Sequence, residues 1–271
     1  MQKETPLSTC LRSIVLCAVL ALLAGRAWGQ KPQIVGQERP GVGEDWEQRI
    51  ALAEEQLRAG DSKKAQDISE TLITEMLQRI ESGPDTGPLV GHTLLIRALA
   101  SAGQNEMREA LWDWHSARVM NPELTDANLA AYGATGEALL KAAENEGLSN
   151  TPDRVTRAGT NPETGQRVER PEKVKGNPPG YPSALKTACI QGVVVIETIV
   201  DQEGYLVSPS LTSSPTPILT LAELEALRTW RFKPAIFEEK PIAVHYTMTT
   251  NFQIPTCRNP AAAAEKAKEK G

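Results

Sequence analysis

The period of the apolar residues changes once along this chain of 271 residues, and that change constrains the fold more than any other feature. Residues 44–147 place apolar side chains three and four positions apart, which is the helical period. Residues 180–257 largely alternate apolar and polar side chains, as half-buried strands do. Residues 148–179, between these segments, contain five prolines and no apolar periodicity, which is typical of a linker. We therefore expect a multidomain chain in which an all-α domain precedes a small α+β domain.

The N-terminal residues have the layout of a secretory signal peptide. An apolar run of 13 residues begins at Ser13 after two basic residues, and the small residues Ala27 and Gly29 follow at the spacing of a cleavage site. This run is shorter than the roughly 20 residues that cross a bilayer. The pattern predicts that residues 1–29 are removed and that the protein is exported. The alternative is an uncleaved anchor that keeps residues 13–28 in the inner membrane.

Five helices are predicted after a short linker at residues 30–43. Their expected ranges follow from the apolar spacing and from the glycines and prolines that interrupt it. They run from residue 44 to the break at Gly60, then over 62–80, 89–102, 106–120 and 125–144.

Part of this helical segment resembles a tetratricopeptide repeat, which has small residues at fixed helical positions followed by an asparagine or aspartate and a proline. The matching positions are Ala98, Ala110, Ala117, Asn121 and Pro122. The two helix pairs are 45 residues apart, from Ala65 to Ala110, whereas the repeat needs about 34. The alternative is a plain helical bundle. Stacked helix pairs of this kind imply a protein partner and no chemistry of their own.

Residues 180–257 predict the order helix, strand, strand, helix, strand. The expected ranges are 181–190 for the first helix, 192–200 and 205–211 for a hairpin, 221–230 for the second helix and 242–254 for the last strand. Thr220 and Glu223 have the spacing of a capping box, which predicts that the second helix starts at Leu221. A helical crossover leaves the two strands that it joins parallel. The first strand should therefore lie between the other two in a three-stranded antiparallel sheet.

This topology brings two cysteines together. Cys189 precedes the first strand and Cys257 follows the last one, and these strand ends are neighbours in the expected sheet. They are also the two cysteines that remain once the signal peptide is removed. An even pair in an oxidising compartment favours a disulfide. The alternative is two unpaired thiols.

The same C-terminal segment resembles the TonB C-terminal domain at many fixed positions. These positions are Tyr181, Pro182, Ala188, Gly192, Val194, Asp201, Gly204, Ser213, Ser214, Ala222, Ala226, the run from Trp230 to Ala235, Lys240, Pro241, Val244, Asn251 and Phe252. The resemblance implies a periplasmic module that binds the N-terminal peptide of an outer-membrane transporter. In that mode the peptide joins the edge of the sheet as an extra strand. The resemblance does not extend to the family's membrane anchor, because no histidine precedes His92, so coupling to a proton-driven motor is not implied.

The last strand is the expected binding edge, because a central first strand leaves the last strand with unpaired backbone groups on one side. The candidate binding residues are those on its polar face. They are Ala243, His245, Thr247, Thr249, Asn251 and Gln253. Two alternatives remain: the low-complexity tail at residues 258–271 covers the edge, or a second copy pairs there and forms a homodimer.

Other functional classes find little support in the sequence. A net charge of −5 and a pI of about 5.4 exclude a general nucleic-acid binder. Ser183 and Lys186 have the Ser-x-x-Lys spacing of acyl-enzymes, but the partner motifs are missing. The three histidines are scattered, so we predict no metal site, no cofactor and no enzymatic activity. The alternative function is an envelope scaffold, in which the helices recruit a protein partner while the β domain docks or dimerises.

Overall fold

The computed structural model describes residues 42–79, 86–146, 156–157, 159–160, 167–255 and 257. All of these residues fall in one compact unit. The predicted signal peptide, most of the first linker, part of the second linker and the C-terminal tail lie outside the described residues. Within the described part of the chain, no helix is long and apolar enough to span a membrane.

Among the described residues, five α-helices form the N-terminal layer. They are α1 (Val42–Arg58), α2 (Ser62–Gln78), α3 (Thr86–Gly103), α4 (Met107–Met120) and α5 (Gly133–Asn145). From Val90 to Ala102, α3 is buried at every position except His92. A helix that is apolar around its whole circumference must be covered on all sides, and α2 and α4 both pack against it. The first four predicted helices are confirmed, whereas their repeat character stays a prediction.

The last helix of this layer starts later than predicted. Two short 3-10 helices, Pro122–Asp126 and Leu129–Tyr132, occupy the segment that the apolar spacing assigned to a helix beginning at Thr125. The Asn121 side chain accepts a backbone hydrogen bond and caps the first of them. Gly133 has a φ of 64°, a left-handed value that a continuous helix cannot contain, so α5 begins there.

The C-terminal part contains two helices and all of the strands described. The helices are α6 (Ser183–Thr187) and α7 (Pro217–Leu227). The strands are β1 (Thr156–Arg157), β2 (Gly159–Thr160), β3 (Arg167–Val168), β4 (Glu172–Lys175), β5 (Gly192–Val200), β6 (Leu206–Ser213), β7 (Arg231–Lys233), β8 (Ala235–Phe237), β9 (Lys240–Ile242) and β10 (Val244–Phe252). β5 lies between β6 and β10 and is antiparallel to both, which confirms the predicted three-stranded core. The sheet has a fourth strand that was not predicted, because β1 pairs with the outer side of β10.

The last strand is shorter than the predicted range 242–254. Residues 240–242 belong to a separate hairpin, in which β8 pairs with β9. The turn of this hairpin contains Glu238 and Glu239, with φ values of 47° and 64°. Two successive positive φ angles are typical of the tight turns that join antiparallel strands. β10 therefore begins only at Val244.

The predicted capping box is wrong. α7 begins at Pro217, and its N-terminal cap is Thr216, whose side-chain oxygen accepts a hydrogen bond of 3.2 Å from the backbone of Leu219. The Thr220 hydroxyl instead donates to the carbonyl of Thr216. Glu223, the other member of the predicted box, is fully buried beneath the sheet.

Residues 167–177, which were expected to be linker, pack on the C-terminal domain; we call them the strap. β4 pairs antiparallel with β7, and the backbone of Glu169 donates to the carbonyl of Ile236. The Lys173 ammonium lies 3.6 Å from the centre of the Trp230 ring, and the indole of Trp230 donates a 2.8 Å hydrogen bond to the carbonyl of Asn177. This part of the expected linker is therefore folded.

A buried charge cluster joins the helical layer to the C-terminal domain. Arg97 on α3 donates two hydrogen bonds of 2.7 Å to Asp113 on α4, and both side chains are buried. The same guanidinium pairs with Glu225 on α7, and Arg228 lies 3.9 Å from Asp113. Burial alone would lower the pKa of Arg97, but the two carboxylates outweigh burial and raise it. The cluster thus ties both layers together, with Arg97 and Asp113 buried and Glu225 and Arg228 half-buried.

Candidate functional site

The predicted binding residues fall on or next to one edge strand. His245, Thr247, Thr249 and Asn251 lie on β10, and their side chains are exposed. Ala243 precedes β10 and is half-buried, whereas Gln253 follows β10 and is exposed. The structure therefore brings the four central residues into one row on the open face of the sheet, and it leaves the two outer residues beyond the ends of the strand.

Strand geometry determines which backbone groups of β10 are free. The N–H of Asp201, directly after β5, donates to the carbonyl of Tyr205 on the β6 side. Because the backbone groups of successive strand residues point in opposite directions, odd-numbered residues of β5 face β6 and even-numbered residues face β10. Their partners in β10 are also even-numbered, as in the pair Ile196 and Met248. The N–H and C=O groups of the odd-numbered residues therefore point to the outer edge. These residues are His245, Thr247, Thr249 and Asn251.

One end of this edge is already paired. β1 runs parallel to β10, with Thr156 opposite Val244 and Arg157 opposite His245. Among the described residues, no strand pairs with the outer side of β10 beyond His245. The outward backbone groups of Thr247, Thr249 and Asn251 thus form the free part of the edge.

The opposite edge of the sheet is poorly suited to a partner strand. β6 contains Pro209, which has no N–H to donate, and its register against β5 is interrupted by two irregularities. Ser208 has a φ of 50°, which bends the strand at this point. α4 packs beside β6, and Arg108 on α4 lies over the ring of Tyr205. Among the described strands of this sheet, β10 therefore offers the accessible straight edge for a partner strand.

A buried carboxyl lies under β10. The Thr250 hydroxyl donates a 3.0 Å hydrogen bond to Glu223 on α7, which explains why a threonine interrupts the apolar inner face of the strand. The second carboxyl oxygen of Glu223 is buried and has no hydrogen-bond partner among the described residues. Burial raises the pKa of Glu223, although the hydrogen bond from Thr250 opposes the shift. This pair couples the edge strand to the helix behind it.

A disulfide fixes the far end of the strand. Cys189 and Cys257 are bonded, with their Cα atoms 5.7 Å apart. The bridge connects the residue three positions before β5 to the segment that follows β10. Tyr181 supports the same corner, because its hydroxyl donates to the carbonyl of Ile190 and its ring meets Phe252 edge-on at 5.4 Å.

The helical layer offers a different kind of surface. Two adjoining clefts of about 400 and 280 Å³ lie along α1 and α3, and both are lined by Glu54 and His92. Arg58 and Tyr132 line the smaller cleft. Among the described residues, no group of three or more histidine, cysteine, aspartate or glutamate side chains could hold a metal ion. Sequence reasoning did not identify these clefts, because their lining comes from separate helices.

The C-terminal part of the chain is similar to known proteins. Residues 177–254 match the family model described as Gram-negative bacterial TonB protein C-terminal. Protein TonB of Vibrio cholerae serotype O1 is 30% identical over 89 residues, which make up 32% of this chain and 36% of that protein. The chain thus spans about a third of that relative's length. The solution structure of the Pseudomonas aeruginosa TonB C-terminal domain matches at 24% identity and a TM-score of 0.30, over 32% of this chain and 90% of the other.

Proposed function

We propose that this chain, which carries a TonB C-terminal domain at residues 177–254, binds a transporter peptide on the edge of β10. The partner is the N-terminal segment of an outer-membrane transporter, and the encounter takes place in the periplasm. The match to a domain of Gram-negative bacteria supports an envelope location and a role in transport. The protein acts by binding, and no chemistry is assigned to it.

The observation that carries this proposal is the row of free backbone groups on β10. Thr247, Thr249 and Asn251 together present three N–H donors and three carbonyl acceptors to an incoming strand. Each hydrogen bond contributes about 0.5–1.5 kcal/mol net, so six of them give a reversible complex. The polar and almost uncharged side chains of this row allow many peptide sequences, because the affinity comes from the backbone.

A proline on the free side of β10 tests this mode of binding. Thr247→Pro removes an outward N–H and leaves the hydrogen bonds to β5 in place, whereas the matched control Thr247→Val keeps the N–H and the β-branched shape. We expect Thr247→Pro to weaken binding about two- to tenfold and Thr247→Val to leave it unchanged. The measurement is fluorescence anisotropy with labelled synthetic peptides that copy the N-terminal segments of outer-membrane transporters. Equal binding by the proline variant and the wild type would rule out strand addition on this edge.

A scaffold function is the second candidate, and the clefts along α1 and α3 favour it. In this case the helices hold a protein partner, and the β domain docks or dimerises. Photo-crosslinking separates the two functions when the reactive amino acid replaces either Thr247 or His92 in the full chain. Capture of a transporter from position 247 supports the first function. Capture of a different envelope protein from position 92, with nothing from position 247, supports the second.

A further inference from the structure

The free edge of β10 is shared between the chain itself and any external partner. β1 ends at Arg157, which lies opposite the first outward-facing residue of β10, His245. The next three outward-facing residues remain open among the described residues. β1 and a partner strand therefore need neighbouring positions on the same side of the same strand.

The strap keeps β1 close to this edge. Val168 in β3 is buried in the core, and the backbone of Glu169 donates to the carbonyl of Ile236 in β8. β2 pairs antiparallel with β3, with Gly159 opposite Val168, so the chain is fixed to the domain only two residues after Arg157. A tether of this length holds a segment at a local concentration in the millimolar range. Pairing over two residues is weak by itself, but such a tether makes it effective. β1 therefore returns to the edge readily after it leaves.

We propose that β1 is an internal placeholder, which occupies the first outward-facing residue of β10 until a longer partner strand displaces it. The inference rests on the proposed function of the edge. It divides partners by length: a strand that pairs with Thr247, Thr249 and Asn251 binds beside β1, whereas a strand that reaches His245 must remove β1. The chain thus lowers its own affinity for full-length partner strands.

The expected change in partner affinity follows from the hydrogen bonds of His245, for which β1 and the partner strand compete. Removing β1 frees the N–H and C=O of His245, which is one or two additional hydrogen bonds for the partner. This corresponds to roughly a tenfold increase in affinity, or about 1.4 kcal/mol. Partners that stop at Thr247 gain nothing.

The test uses the full chain with the double substitution Thr156→Pro and Arg157→Pro, which removes both N–H groups of β1. The matched control is Glu163→Pro, six residues beyond β1. Amide hydrogen exchange is the first measurement. We expect the His245 N–H to exchange at least tenfold faster in the double variant than in the wild type or the control. The N–H of Tyr246, which faces β5, should keep its protection. Equal exchange at His245 in all three proteins would overturn the placeholder.

Peptide binding is the second measurement, with the same labelled transporter peptides. A tenfold higher affinity of the double variant for peptides that span the whole edge supports the inference, and equal affinity overturns it. If no peptide binds to any of the three proteins, the proposed function fails, and the exchange rate of His245 alone decides whether β1 holds the edge.

Discussion

Replacing Arg97 with methionine should loosen the attachment between the helical layer and the C-terminal domain. The substitution keeps a long apolar side chain and removes the guanidinium that donates two 2.7 Å hydrogen bonds to Asp113. Asp113 is fully buried, and its remaining cation, Arg228, is 3.9 Å away. Burial already raises the pKa of Asp113 against the opposing effect of Arg97, so loss of that arginine leaves the carboxylate strongly disfavoured.

The expected cost is about 3–5 kcal/mol, because breaking a buried pair leaves an uncompensated charge in the interior. This is a large share of the roughly 5–15 kcal/mol that stabilises a typical domain. The measurement is urea unfolding at pH 7, followed by tryptophan fluorescence. Trp112 and Trp114 are suitable reporters, since both are buried on α4, the helix that carries Asp113.

Two further variants test whether the lost stability comes from the buried charge pair. Arg97→Met with Asp113→Asn removes both charges and should recover more than half of the lost stability. Arg108→Met removes a half-exposed arginine that pairs with Glu203, and it should cost about 1 kcal/mol or less. If Arg97→Met costs no more than Arg108→Met, the buried cluster does not hold the two layers together.

Two other predictions concern the C-terminal domain. Glu223→Gln should raise the free energy of unfolding by about 1–3 kcal/mol at pH 7, because it removes a negative charge that is buried and accepts one hydrogen bond, from Thr250, among the described residues. The folded state holds the Glu223 proton more tightly than the unfolded chain does, so this residue lowers stability as the pH rises above its ordinary pKa of 4.5. The gain should therefore shrink at pH 4, and the same gain at both pH values in urea titrations would contradict this reasoning. Replacing Cys189 and Cys257 with serine opens a loop of 68 residues and should cost about 4 kcal/mol, measured by the same titration under non-reducing conditions. A loss below 1 kcal/mol would show that the bridge adds little to the sheet.

The central topology was predictable because several independent signals agree on it. The alternation in β5 and β10, the crossover through α7 and the positions of the two cysteines all lead to the same strand order. The exposed face of β10 was also predictable from the sequence, since its polar residues occur at every second position. Thr250 was the one irregularity, and its explanation required Glu223, a residue 27 positions away in sequence.

The structural features that were not predicted lack a clear pattern in the local amino-acid sequence. β4 has the sequence Glu-Lys-Val-Lys and is exposed along its whole length, so it carries no apolar period. The turn between β8 and β9 uses two glutamates where glycine or asparagine is usual. The start of α7 was predicted at Leu221 from Thr220 and Glu223, whereas the helix is capped by Thr216 and has Pro217 at its first position. The contact between Arg97 and Glu225 joins residues 128 positions apart, which no local pattern can predict.

The disulfide has a mechanical consequence for the edge strand. A partner strand that is pulled along its own length would load β10 along the same axis. Without a covalent tie at its C-terminal end, β10 could separate from β5 one backbone pair at a time, beginning from that end. With Cys257 fixed to Cys189, this unzipping cannot start there, and separation of the nine residue pairs between β10 and β5 must begin at the Val244 end. The disulfide therefore removes one of the two ends from which a load could peel β10 off β5.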